Sequence, residues 1–297
     1  MNLPQRYRVA LALLPFSFAI VACSREKASA PAGGKEAAAP SISPAARAAV
    51  QLGSEIFLRT QAFSQPLGGN ALACTNCHLD GGKQVGGLAL VGSSRRYPWK
   101  GPDGRSFTLE DRIVRCLTQS LNAQAPAPGR KEIAALAAYI AWLGEGLPPG
   151  QPPAWLTAKT IAAQNIVPIG QLDAVRGRQK YVQYCSGCHG RDGQGYSEKR
   201  PPLPYESVPP LWGPRSYNDV SGLARVYTLA GFARHAMPLD KPGDITDQDV
   251  QEIAAYVDGQ PRPASANKDA WDGSSPEDAV YDTRRYPKNP FRAPDTR

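Results

Sequence analysis

The chain has 297 residues, enough for about two domains and two modest cores rather than one large one. With 28 glycines and 29 prolines, much of it must be loop. The net charge of +8 favours small anions or acidic partners, and no dense Lys/Arg run interleaved with aromatics is present, which argues against nucleic acid.

Residues 1–22 carry Arg6 and Arg8 ahead of an apolar run, the pattern of an export signal and too short for a comfortable membrane span. Ile20-Val21-Ala22-Cys23 reads as a bacterial lipobox, so Cys23 is expected to be acylated and to anchor the protein to a membrane from the periplasmic side. Ordinary cleavage nearby, without a lipid, is the alternative. Residues 23–43 are rich in Ala, Pro, Gly and Lys without apolar periodicity, as in a flexible tether.

A first unit, residues 44–147, opens with helical spacing over 45–62, where Gly53 and Phe57 share a face. Cys74-Thr75-Asn76-Cys77-His78 follows, a C-x-x-C-H in which two cysteines can form thioethers to one porphyrin and the histidine can bind its iron. Thr108 and Asp111 form a capping box ahead of a helix through Leu109, Ile113 and Leu117. A closing helix is expected over 131–143, with Ala137 and Ala138 giving it a small-residue face.

A Pro-rich linker, residues 148–170, leads to a second unit, 171–263, which repeats the plan. Its opening helix, 174–184, sets Gly177 and Tyr181 where the first has Gly53 and Phe57. Cys185-Ser186-Gly187-Cys188-His189 is a second C-x-x-C-H, and 247–258 is the closing helix. Residues 264–297 form an irregular tail without a functional reading. The predicted fold is therefore all-α: two tandem cytochrome c domains with extensive loops and a covalent haem c in each. A zinc site is the alternative use of the four cysteines, but the pairs lie over a hundred residues apart and each precedes a histidine.

The inventory of iron ligands is short: three histidines, two methionines and six cysteines. With His78 and His189 proximal, His235 is left; Met1 leaves with the signal, so Met237 is left. Four cysteines hold porphyrins and Cys23 is acylated, so Cys116 is left. Met237 lies 48 residues after His189, ahead of the closing helix, and is expected to be the distal ligand of the second haem. The alternative is His235 as ligand and Met237 as core filler. Cys116 lies 38 residues after His78 in the equivalent place, and the first unit has no other soft ligand. A structural cysteine beside a vacant or lysine-filled site is its alternative.

Arg112 and Ser120 stand four residues either side of Cys116 on one helix face, with Arg115 adjacent and Arg95, Arg96, Lys100 and Arg105 upstream. Positive charge there lowers a thiol pKa and holds oxyanions, although arginines near haem also pair with propionates. The run Asp111-Arg112-Ile113-Val114-Arg115-Cys116-Leu117-Thr118-Gln119-Ser120-Leu121-Asn122 resembles the haem-1 ligand segment of thiosulfate dehydrogenases, dihaem cytochromes that interconvert thiosulfate and tetrathionate. Cys77-His78-Leu79-Asp80-Gly81-Gly82, Pro209-Pro210-Leu211-Trp212-Gly213-Pro214 and Ser216-Tyr217-Asn218 are similar too.

This resemblance implies Cys116 and Met237 as distal ligands, with Arg112 and Ser120 holding substrate, and the basic cluster adds Arg105 to the candidate catalytic set. It implies oxidation of two thiosulfates to tetrathionate, or the reverse, with electrons passed to an acceptor cytochrome. Family members commonly have a lysine where this chain has Gln124, and some have one where it has Ala236. The rival readings are a non-catalytic lipid-anchored dihaem electron carrier and a sulfur-oxidation haem protein that conjugates thiosulfate to a carrier thiol.

Overall fold

Helix α1 (Pro44–Leu58) starts where Ser43 accepts a hydrogen bond from the Ala46 N–H at 3.2 Å and Pro44 takes the first turn. In the computed structural model, residues 43–63, 67–100, 104–147, 160–196 and 207–265 are described. They include six helices of 11 to 15 residues: α1, α2 (Leu109–Ser120), α3 (Lys131–Trp142), α4 (Ala174–Tyr184), α5 (Val226–Ala236) and α6 (Asp247–Asp258). The all-α expectation holds. Strand pairing among the described residues is limited to a two-residue antiparallel ribbon, β1 (Trp99–Lys100) with β2 (Ser106–Phe107), and an isolated bridge between Tyr196 and Val208.

In each half an opening helix crosses a closing one, α1 on α3 and α4 on α6. The crossings are held by the same device. A Cβ at Gly53 would lie 2.0 Å from the Ala135 carbonyl oxygen, and one at Gly177 would lie 2.0 Å from that of Glu252. Only hydrogen at these positions lets the backbones meet so closely. Beside each glycine an aromatic ring fills the wedge, Phe57 against Tyr139 at 5.3 Å between centroids and Tyr181 against Tyr256 at 5.5 Å. Phe57 and Tyr181 are essentially fully buried.

The second crossing adds charge. Arg176 of α4 bonds Asp249 and Glu252 of α6, and Lys180 reaches Asp249 at 3.2 Å. The described part of the linker packs on the second half: Gln251 bonds the Val167 N–H and the Asn165 carbonyl, and Tyr227 donates to the Val167 carbonyl at 2.7 Å. Buried residues of both halves belong to one continuous hydrophobic cluster. The leader, Cys23 with its tether, and the tail beyond residue 265 lie outside the described residues.

Candidate functional site

The second C-x-x-C-H follows directly on its opening helix, whereas the first comes after a 3-10 turn (Thr60–Phe63) and further loop beyond α1. After α1, the Thr60 hydroxyl donates to the Ile56 carbonyl at 2.8 Å and accepts from the Cys74 N–H at 3.2 Å, which ties the first cysteine to the helix end. His78 Nδ1 lies 2.6 Å from the Leu88 carbonyl, and His189 Nδ1 lies 3.0 Å from the Pro209 carbonyl. A carbonyl can only accept, so each Nδ1 carries the proton and each Nε2 keeps its lone pair for a metal.

The second motif opens into a cavity of about 520 Å³, of porphyrin size, lined by Cys185, Cys188, His189 and Met237 with apolar walls from Phe232 and Val257. Met237 caps α5 with its N–H on the Ala233 carbonyl. His235 turns away from this set, its Nε2 lying 3.2 Å from the Thr160 carbonyl. One wall comes from the first half, through Thr75, Asn76 and Cys77 of the other attachment motif. Imidazole, thioether and paired thiols around an apolar cavity are a donor set that fits a covalent haem.

At the first motif, α2 brings the remaining thiol to the histidine. The capping box forms as expected, with the Asp111 N–H on Thr108 Oγ1 at 3.1 Å and the Thr108 N–H on Asp111 Oδ2 at 2.9 Å. Two turns on, Cys116 faces His78 within hydrogen-bonding reach. Burial pushes the Cys116 thiol up, but the Arg112 guanidinium, His78 and Arg115 outweigh it and bring it down to about 7. Burial raises Cys74 to about 11 and Cys77 and Cys185 to about 12, so Cys116 stands apart as the thiol poised to be a thiolate.

Arg112 is held from a second side. Its guanidinium hydrogen-bonds the Tyr97 hydroxyl, and the Cys116 thiolate keeps it firmly charged. Tyr97 was not legible as a site residue, because it comes from a loop with no periodicity to mark it. Arg115 donates through Nε to Gln119 at 3.3 Å. Arg95 donates to the Gly144 and Leu147 carbonyls at 3.2 and 2.8 Å. Arg105 is exposed, 5.9 Å from the Phe107 ring centroid, and lines an open groove with Asp111, Val114 and Thr118 on the side of α2 away from Cys116. The structure therefore unites Cys116, Arg112 and His78 and does not bring Arg105 to them.

Ser120 extends the Cys116 face into the second half: its Oγ lies 3.1 Å from Ser221 Oγ. This is one of several ties made by residues 215–221. Asn218 donates to the Thr118 carbonyl at 3.2 Å, Asn122 donates to that of Ser216 at 3.0 Å, and Ala71 N–H bonds the Arg215 carbonyl at 3.0 Å. Asn70 donates to both the Ser120 and Ser216 carbonyls, at 2.8 and 3.1 Å. The same stretch of chain, from Pro209 onward, orients His189, walls the second cavity with Tyr217 and fastens the end of α2.

Comparison with known proteins bears on the family and the fold. Residues 60–148 match the family described as SoxA/TsdA, cytochrome c domain, and residues 173–257 match cytochrome c oxidase, cbb3-type, subunit III. A thiosulfate dehydrogenase of Stutzerimonas stutzeri (strain A1501) is 35% identical over 215 residues, 72% of this chain and 67% of the relative. One from Allochromatium vinosum is 36% identical over 200 residues, 66% of this chain and 71% of the relative. Among solved structures, the thiosulfate dehydrogenase (TsdBA) from Marichromatium purpuratum superposes with a TM-score of 0.66 at 31% identity, covering 84% of this chain. The present chain spans about half of that one, 52%. With a SoxA/TsdA cytochrome c domain matched and curated relatives over 30% identical covered to two thirds of their length, the chain belongs to the thiosulfate dehydrogenase family of c-type cytochromes.

Proposed function

We propose that the protein oxidises thiosulfate at the Cys116 face of α2 and passes the electrons through its second half to an acceptor cytochrome. The observation that carries this is the meeting of Cys116 with His78 and Arg112 on one face of α2. In the proposed holoprotein His78 and Cys116 hold one haem iron, His189 and Met237 hold the other, and Cys74, Cys77, Cys185 and Cys188 form the thioethers. When bound, these haems supply one-electron oxidation and a route for the electrons.

The residues do the rest. Two thiosulfate dianions repel one another, and the Arg112 cation, fixed by Tyr97, offsets that repulsion while orienting the terminal sulfurs. Ser120, with its hydroxyl oriented by Ser221, donates to a substrate oxygen. One sulfur–sulfur bond forms, no bond breaks, and two electrons leave, so two thiosulfates give one tetrathionate. The reverse reaction, tetrathionate reduction, uses the same residues. The leader and the Cys23 lipobox support export and lipid anchoring in the periplasm. Mass measurement of the mature N-terminus from membranes tests that part.

The test of the chemistry is turnover by purified holoprotein with thiosulfate and ferricyanide. Tetrathionate is the expected product, and Cys116→Ala is expected to lower the rate by at least about a hundredfold with both haems still attached. An electron carrier would give no tetrathionate, and an enzyme that loads a carrier thiol would need that partner. Full activity in Cys116→Ala would overturn the assignment.

A further inference from the structure

The groove on the outer side of α2 takes no part in the chemistry above. It holds about 900 Å³ between α2, strand β2 and residues 126–134. Phe107, Val114, Pro126 and Ile133 give it apolar lining, and Arg105, Arg115 and Arg130 add three cations, the last sharing its charge with Glu132 at 3.2 Å. Its acids are Glu110 and Asp111, and the Asp111 carboxylate is already taken by the Thr108 N–H and hydroxyl, each at 2.9 Å. Such a surface suits an acidic segment that carries aromatic side chains.

The described chain ends beside this groove. Asn218 donates to the carbonyl of Thr118, a residue of the groove wall. The next residue, Asp219, bonds the Pro263 carbonyl through its N–H at 3.1 Å and accepts from the Ser265 N–H at 2.8 Å. Residues 266–297 therefore set out within two hydrogen-bonded steps of the groove. The six residues from Ala266 to Trp271 reach about 20 Å when extended and α2 is about 18 Å long, so Trp271 can meet any part of it.

Charge decides among the longer stretches of chain outside the described residues. Residues 269–282 carry Asp269, Asp272, Glu277, Asp278 and Asp282 with no Lys or Arg, and they include Trp271 and Tyr281. Residues 23–42 and 148–159 are net basic, and 197–206 are balanced. We propose that residues 269–282 dock in this groove, with Trp271 against its apolar lining and the carboxylates beside its arginines. Exposed ion pairs contribute little by themselves, so Trp271 is the anchor and the charges select the segment. The helix that carries Cys116 is then held from two directions, at its end by Asn70 and Asn218 and along its outer face by the chain's own C-terminal segment. This docking is independent of what the Cys116 face turns over.

The test uses full-length holoprotein with p-benzoylphenylalanine at position 271. Irradiation is expected to join that position to peptides of α2 or of residues 126–134 within one molecule. Isotope-labelled copies mixed with unlabelled ones before irradiation distinguish this from a second copy seated in the groove, which gives mixed-label products. Amide exchange is then followed in wild type, Trp271→Ser and Arg105→Glu, with Arg59→Gln as an exposed-cation control outside the groove. In wild type, residues 269–282 should exchange at least about tenfold more slowly than a free peptide of the same sequence. Trp271→Ser and, to a smaller extent, Arg105→Glu should lose that protection and speed exchange in α2, while Arg59→Gln changes neither. Exchange of residues 269–282 at the free-peptide rate in wild type, crosslinks absent from the groove, or crosslinks there only between copies would overturn the proposal.

Discussion

At the scale of single residues, the site is a contest between burial and charge. Buried thiols and carboxyls ordinarily rise in pKa, as Cys74, Cys77 and Cys185 do, and Cys116 is pulled the other way by Arg112, His78 and Arg115. Arg112→Ala removes a charge-assisted contact of about 1.5–3 kcal/mol and should lower kcat/KM for thiosulfate roughly ten- to hundredfold. Tyr97→Phe, which frees the guanidinium but keeps its charge, should raise KM more than it lowers kcat; steady-state kinetics on the pair checks this order. Asp258 shows the opposite balance, raised by burial from an ordinary 3.8 to about 7 despite Arg262 and Tyr217. Its folded pKa lies above the unfolded one, so the folded state holds the proton longer. The stabilisation is complete below about pH 4 and is lost as the pH rises through about 7. Asp258→Asn should flatten that dependence, and melting curves across the same window that keep the wild-type slope would contradict the assignment.

At the scale of elements, the two halves share one construction. A glycine in the opening helix admits the backbone of the closing helix, and an aromatic four residues on fills the space beside it. Gly53→Ala and Gly177→Ala each place a methyl group on a carbonyl oxygen, a clash that only helix displacement relieves. Each is expected to cost about 1–3 kcal/mol of stability or more, read as a lower melting temperature. Either one behaving as wild type would show that the crossing has slack. These helices, their spacing and the capping box at Thr108 were legible in the sequence because helical periodicity and local capping depend on near neighbours alone. α4 and α6 run over the residues expected, while α1 stops at Leu58 and gives way to a 3-10 turn over Thr60–Phe63, where Thr60 binds back onto the Ile56 carbonyl.

At the scale of the whole molecule, the halves are joined by side-chain amides on main-chain carbonyls and by a shared core. Asn70 and Asn218 hold the end of α2, the helix that carries Cys116, against the second half. Wild-type holoprotein should therefore unfold in one transition, and the double variant Asn70→Ala, Asn218→Ala, losing about 1 kcal/mol per bond, should broaden or split it in calorimetry. By itself the sequence determined the two C-x-x-C-H motifs, the repeat and, by elimination, Cys116 and Met237 as the remaining soft candidates, because such motifs and scarce residue types need no partner to be recognised. Only the tertiary structure decided which basic and polar groups attend them. Arg112 meets Cys116 while Arg105 faces the far side of α2, and Tyr97 and Ser221 reach the Cys116 face from distant stretches of chain. Charge and hydrogen bonding act through space over a few ångströms, a distance that spacing along the chain does not record.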